Sequence, residues 1–409
     1  MKKQFIGFLL TLCSFSVFAQ RVNTTNIETV VSYLASDELQ GRATSSEDER
    51  KAAKYIAEKF KMMALQPFGN NWFYYDFVKR YNTNVHDSDE NHGELRTGRD
   101  VIAFLDNQAE YTVIIGAHYD HLGLGDDHNS LDANPKNKVH NGADDNASGV
   151  AGLIELANFF TSNGFTERYN FLFMAFSGEE LGLFGSKAWC EKPTLALDKV
   201  NYMLNMDMIG RLNNETKKLL VYGIGTSPNF ETTLDRINTK FSLKKDSSGV
   251  GPSDHTSFYL KNLPVLHFFT GQHSDYHKPT DDADKVNYAG IAEVLEYLID
   301  VIYDLDKQPK QPFLKTAYQA GTEVSFKVTM GVMPDYAFDG KGMRIDDVSN
   351  NRPAQKGGIQ KGDIIIGIQG KAIGNVMDYM KILSEHKKGD TVDVELIRGS
   401  ETLTKTITF

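Results

Sequence analysis

Cysteine is scarce in this 409-residue chain, which has only Cys13 and Cys190. Cys13 lies in an N-terminal segment expected to be removed. No internal disulfide is then possible, and stability must come from the core and any bound metal. Cys190 stands beside Trp189 in a helical pattern with no partnered base, so it reads as a buried, inert thiol rather than a nucleophile. Basic runs are also missing, and the formal net charge of -10 argues against a nucleic-acid partner. Past the first residues no apolar run approaches bilayer-spanning length, which argues against a membrane anchor. Internal repeats and low-complexity tracts are absent as well.

What is present begins with a targeting segment. Lys2 and Lys3 make a positive start, residues 6–18 an apolar core, and Val17-Phe18-Ala19 the small-residue pattern of a signal-peptidase site. Cleavage after Ala19 would leave Gln20 first and send the protein to the periplasm or the exterior. Leu12 precedes Cys13 where lipid attachment wants a small residue, so lipidation is not expected. With 41% hydrophobic and 24% charged residues the composition is that of a soluble globular protein, and the length suggests two domains.

Ile27, Val30, Val31 and Leu34 fall at helical spacing, and Ser46-Glu47-Asp48-Glu49 forms a capping box for a second helix that buries Ala53, Ile56, Ala57 and Phe60. Residues 69–100 read as irregular. From Asp100 onward, strand-like runs (101–105, 111–117, 169–176, 200–206, 218–222, 264–269) alternate with helical runs (147–161, 183–191, 228–241, 287–305). This predicts an α/β fold, a mostly parallel mixed sheet covered by helices on both faces. The apolar run 171–176 suits a doubly covered central strand. The main domain is expected over 20–308. Pro309 and Pro312 mark a linker over 309–322, and short β patterns around one helical run, 376–386, predict a small β-rich domain over 323–409.

Three predicted strands end in potential metal ligands. One delivers His118, a second delivers Glu179 and Glu180, and a third delivers Asp207; Asp145 precedes a helix, and His277 lies in a later loop. The carboxyl ends of parallel strands share one edge of a sheet, so these residues are expected to converge. Two imidazoles and three carboxylates without thiolate suit two Zn²⁺ ions, with one carboxylate bridging. Of the adjacent Glu179 and Glu180, one would ligate and the other accept a proton from the attacking water. Asp120 could take the other ring N–H of His118 and fix its tautomer.

His118-Tyr119-Asp120, the run from Asn141 to Gly149, Ser177-Gly178-Glu179-Glu180, Asn205-Met206-Asp207-Met208-Ile209-Gly210 and Tyr276-His277-Lys278-Pro279 resemble, in order, the motif set of the M28 family of di-zinc aminopeptidases. The run 35–42 resembles the family's opening. The resemblance implies that His118 and Asp207 hold one zinc, Glu180 and His277 the other, and that Asp145 bridges them. Glu179 would be the general base, Asp120 would orient His118, and Tyr276 is similar to a tyrosine that hydrogen-bonds the oxyanion. Two alternatives share the scaffold: a carboxypeptidase, and a glutaminyl-cyclase-like acyltransferase, which resembles the family but uses one zinc. A third reading is a non-catalytic peptide-binding scaffold.

Other residues carry blander expectations. His121, His128 and His140 sit in a long polar loop expected to wall the cleft, and read as solvated; His267 reads as a satisfied core histidine. Asp144 competes with Asp145, and the family pattern favours Asp145. Asp281 and Asp282 read as a solvated turn or helix start. The run 251–255 resembles a region near the substrate, with no role assigned. Residues 358–370 resemble a PDZ domain, which implies a groove able to take a peptide C-terminus as an added strand.

Overall fold

The computed structural model describes residues 21–81, 93–127, 129–316, 328–335, 338, 340–348 and 352–409. The expected signal segment, His128 and the first residues of the β-rich region expected over 323–409 lie outside them. Helix α1 (Thr24–Leu34) starts at Asn23, whose side chain accepts from the amides of Thr25 and Asn26, and turns Ile27, Val30, Val31 and Leu34 inward. Helix α2 (Glu47–Met62) is capped by Ser46, which accepts from the Glu49 amide at 3.0 Å. Glu49 does not close the box on Ser46. Its buried carboxylate accepts instead from the Ser45 amide, at 2.7 Å, and from the Ser177 hydroxyl.

The large sheet contains β1 (Gln66–Pro67), β2 (Tyr74–Tyr81), β3 (Glu94–Leu105), β4 (Thr112–His118), β5 (Asn170–Phe176), β6 (Val200–Met206), β7 (Lys218–Tyr222), β8 (Ser242–Lys245) and β9 (Val265–Phe269). Their spatial order is β1-β3-β5-β4-β6-β9-β7-β8, with β2 also on β3. The centre is parallel (β5, β4, β6 and β9), and β3 and β7 run against it. Helices α3 (Gly149–Ser162), α4 (Phe184–Glu191), α5 (Phe230–Ile237), α6 (His255–Tyr259) and α7 (Tyr288–Asp306) complete this part.

Alternation along the strands sorts the core into two faces. Val113, Ile115, Phe171 and Phe173 pack in one cluster with Ile27 of α1, Leu153 of α3 and Leu298 of α7. Ile114, Leu172, Met174 and Phe176 pack on the other face with Trp189 of α4 and Phe258 of α6. Every residue of β4, β5 and β6 is buried, so the sheet is a rigid platform whose ends can carry a site.

Much of the stretch read as irregular, 69–100, is the β2–β3 ribbon. Tyr75 and Phe77 alternate inward, but charged residues on the water side of the ribbon hide that period in the sequence. The helix expected over 228–241 stops at Ile237, where the Asn238 side chain accepts from the Phe241 amide and donates to its carbonyl.

A second, antiparallel sheet holds β10 (Val332–Pro334), β11 (Met343–Val348), β12 (Ile364–Ile368), β13 (Lys371–Ala372), β14 (Thr391–Arg398) and β15 (Glu401–Thr408), in the order β10-β11-β12-β14-β15 with β13 on β12. It has its own core of Ile345, Ile365, Ile368, Ile382, Val394 and Leu396, partly covered by α9 (Val376–Ser384). The short helix α8 (Pro353–Lys356) was not expected from the pattern. Asp363, in the Gly-Asp turn, is buried and accepts from Nε and Nη2 of Arg398, both at 2.7 Å. Among the described residues no helix is long and apolar enough to cross a membrane.

Candidate metal centre

His118 is the last residue of β4, Glu179 and Glu180 follow β5, and Asp207 follows β6. These three parallel strands are neighbours, so their ends bring the side chains together. Asp145 reaches the same point from the irregular turn before α3. Three contacts hold that turn: Asp281 Oδ2 accepts from the amides of Asp144 and Asp145 at 2.9 and 3.0 Å, and the Asn146 amide group donates to the Met206 carbonyl at 3.1 Å. Gly142 opens the turn at φ 56, a left-handed conformation that suits glycine.

His118 Nε2 lies 3.3 Å from both Asp145 Oδ1 and Asp207 Oδ1. His277 Nε2 lies 3.2 Å from Asp145 Oδ2 and 3.1 Å from Glu180 Oε2. The two oxygens of Asp145 thus face different imidazoles, which is the geometry of a bridge. A further group, His121 with Asp145 and Glu180, also has donor atoms within 4.8 Å of one another. Two ligand atoms about 2.0–2.1 Å from one tetrahedral ion are separated by about 3.3–3.4 Å, so four N···O distances of 3.1–3.3 Å are close to what a cation between each set requires.

The electrostatics agree with the geometry. Burial disfavours charge on His118, but the carboxylates of Asp207 and Glu179 outweigh it and hold its pKa well above the usual value. Burial would raise Asp145, yet its bonds to His118 and His277 keep it well below the carboxylate range. Glu180, likewise buried, is held down to about 2 chiefly by His277. Glu179 behaves in the opposite way: burial pushes its pKa well up, and Glu180 and Asp207 reinforce this.

The supports differ in part from those expected. His118 Nδ1 is 3.3 Å from the Asp120 backbone carbonyl and 3.7 Å from its carboxylate. That carboxylate accepts from the Thr44 hydroxyl at 2.9 Å and the Glu179 amide at 3.1 Å. His277 Nδ1 meets the Asn129 carbonyl at 3.1 Å, while the Leu131 amide and the Ser130 hydroxyl donate to the His277 carbonyl, so the long loop after His121 holds His277 in place. Tyr276 stacks on His277, with centroids 3.9 Å apart, and lines a cleft with Met208, Pro252, Phe269 and Gln272. A larger hollow beside β2 is lined by charges that already pair with one another, Arg99 with Asp76 and Lys79 with Glu191, and no donors converge in it.

Residues 100–302 match the model of Peptidase family M28, and residues 319–409 match that of the PDZ domain. The chain belongs to peptidase family M28 and carries a PDZ domain. It is 26% identical over 185 residues to aminopeptidase YwaD of Bacillus subtilis, covering 42% of this chain and 39% of that protein. The chain therefore spans about two-fifths of that relative's length. The fold is similar to that of a Bacteroides thetaiotaomicron glutaminyl cyclase (TM-score 0.55, 17% identity, 69% of this chain and 98% of that one). It is also similar to that of an aminopeptidase from Aneurinibacillus sp. strain AM-1 (TM-score 0.52, 18% identity, 72% and 95%).

Several residues of the M28 domain were misread or passed over. Asp281 is not a solvated turn residue: it is fully buried, and Arg211 Nη2 lies 3.1 Å from its other oxygen. Asp144 is buried as well, accepting from the Gly210 amide at 2.6 Å and facing His273 at 3.1 Å. Two of the loop histidines read as solvated are buried: His140, with the Ser130 hydroxyl 2.7 Å from its Nε2, and His121 at the centre itself. Arg42, outside the matched 100–302, is fully buried and donates to the carbonyls of Leu34, Tyr119, Asn141 and Gly142, tying the segments after His118 and before Asp145 to the chain's opening. Asp254 and His255 of the unassigned run are fully buried. No periodicity marks these residues, because contacts with distant parts of the chain are what bury them.

Proposed function

We propose that this protein is an exported metallo-exopeptidase that removes residues from the N-termini of peptides. One observation carries the reading: two imidazole–carboxylate donor sets share Asp145 at the carboxyl edge of the central sheet. His118 and Asp207 would hold one zinc ion, Glu180 and His277 the other, with Asp145 between. Zinc bound there supplies Lewis acidity to the scissile carbonyl and to the attacking water.

The chain's own residues would do the rest. Glu179, whose proton affinity is raised by burial and by its neighbouring carboxylates, takes a proton from the attacking water and hands it to the leaving amine. Asp120 fixes the backbone at Glu179 through its amide and, with its own carbonyl, sets the His118 ring. Tyr276, at the wall of the cleft beside His277, is assigned to the oxyanion. The N-terminal preference rests on the names of the aminopeptidase relatives, and export on the leader-like first residues. The PDZ domain is assigned a peptide C-terminus as partner.

The test combines metal analysis with an aminoacyl-4-nitroanilide assay, run with and without chelator. Two zinc ions per chain and chelator-sensitive hydrolysis are expected, and Glu179→Gln should keep both ions while turnover falls by roughly 10²–10⁴-fold. A Glu179→Gln protein as fast as the parent would sink the mechanism. One ion per chain would favour a cyclase-like acyltransferase on the same scaffold.

A further inference from the structure

His121 was expected in solvent and is fully buried. Its amide donates to the Arg42 carbonyl at 3.2 Å, and Ala43 bridges to it, so its backbone is held by the chain's opening run. Its ring lies on the backbone of Gly142, where a Cβ would come within 2.5 Å of His121 Cδ2. Arg42 in turn grips the Gly142 carbonyl at 3.1 Å. The ring is therefore clamped, with Nδ1 aimed at Glu180.

The distances separate two roles for that nitrogen. Each of the four contacts that would share a cation spans 3.1–3.3 Å, but His121 Nδ1 is 2.7 Å from Glu180 Oε1 and 3.9 Å from Asp145 Oδ2. A separation of 2.7 Å is too short for two ligands of one tetrahedral ion and right for a charge-assisted hydrogen bond. Nε2 has no hydrogen-bond partner among the described residues, so the ring's hydrogen bonding in the site falls to Nδ1.

We propose that His121 is a positioning residue: it donates Nδ1–H to Glu180 Oε1 and thereby turns Oε2, beside His277, toward the second cation. This rests on the two-cation reading above. It adds that the opening run around Arg42, through His121, sets the affinity of one of the two positions selectively.

The test is zinc titration of the full chain by chelator competition, with His121→Ala and His121→Asn beside the parent. Alanine removes the donor, whereas an asparagine amide can place an N–H near the position of Nδ1. In His121→Ala the second ion should bind about 10–100-fold more weakly with the first unchanged, and the rise in melting temperature on adding zinc should shrink. His121→Asn should recover binding to within a few-fold of the parent. If both variants lose the second ion equally, the nitrogen is itself a ligand and the proposal fails. It also fails if His121→Ala binds both ions as the parent does. Should the alanine variant not fold, His121→Asn decides alone: near-parental zinc binding supports the proposal and loss of the second ion overturns it. A parent protein that takes up no zinc overturns both this proposal and the proposed function, whereas two ions in the parent with an unaffected variant overturns this one only.

Discussion

The M28 domain holds two pairs of histidines that differ in what surrounds them. His118 and His277 each meet two carboxylates at 3.1–3.3 Å, and both are pushed toward the charged form. His255 and His267 stack on each other, with centroids 4.4 Å apart and planes within 5°. Burial drives both of these toward the neutral form, with His267 lowered to about 4. Neither nitrogen of His255 has a hydrogen-bond partner among the described residues, and His267 Nδ1 faces only the Asn205 amide at 3.2 Å. The same side chain is thus a candidate ligand when carboxylates converge on it and a neutral packing element when they do not.

The sharpest way to break this distinction is to remove one member of each pair. His118→Ala or His277→Ala should strip zinc from its position and forfeit several kcal/mol of transition-state stabilisation, roughly a thousandfold in turnover of an aminoacyl-4-nitroanilide. His255→Phe should leave zinc content unchanged, and a His255→Phe protein that purified with fewer ions would collapse the contrast.

Next in size is the scaffold around the first pair. Arg42 remains cationic although burial lowers it to about 10, and four carbonyls depend on it. Lysine cannot reproduce that fork, so Arg42→Lys should lower unfolding free energy by roughly 3 kcal/mol in urea titration. Unchanged stability would mean that the loops are held from elsewhere.

A smaller effect tests the second pair through pH. The pKa of His267 is depressed in the fold, so it binds a proton more readily when unfolded. Its contribution is fully present above pH 6.5 and is lost as pH falls toward 4, amounting to at most about 3 kcal/mol. Asp254, raised by burial to about 7, works in the opposite direction: its contribution is present at low pH and is lost as pH rises from 3.8 toward 7. The informative quantity is therefore the difference between parent and His267→Phe, whose stability should fall less steeply between pH 6.5 and 4. Parallel curves would show that His267 does not titrate. The smallest effect expected is on the stability of His255→Phe at neutral pH, within about 1 kcal/mol of the parent, because the ring keeps its stack and no hydrogen bond is lost.

The central strands and the residues at their ends could be read from the chain because each signal was local: an unbroken apolar run, then a polar residue where the strand must stop. The proposed ligands His118, Asp145, Glu180, Asp207 and His277 do come together. What escaped reading was set by tertiary partners. Asp281 looks like any acid in a polar turn until the amides of Asp144 and Asp145, more than a hundred positions earlier, are placed over it. Arg42 and His121 follow the same rule, since each is buried by contacts that no periodicity encodes. The β2–β3 ribbon was missed for another reason: with one side in water, its alternation is masked by Lys79, Arg80, Arg96 and Arg99.

The stretch after α7 looks like slack rope in the sequence, but its first residues are fastened down. The amide of Gln311 donates to Asn201, that of Leu314 to the Thr226 carbonyl, and that of Thr316 to the Tyr259 hydroxyl. A peptidase fragment truncated at residue 308 would strip these fixings and bare the back of α6, whereas one extended to Thr316 would keep them. Thr316 thus ties the end of this stretch to Tyr259, on the short helix that also carries His255.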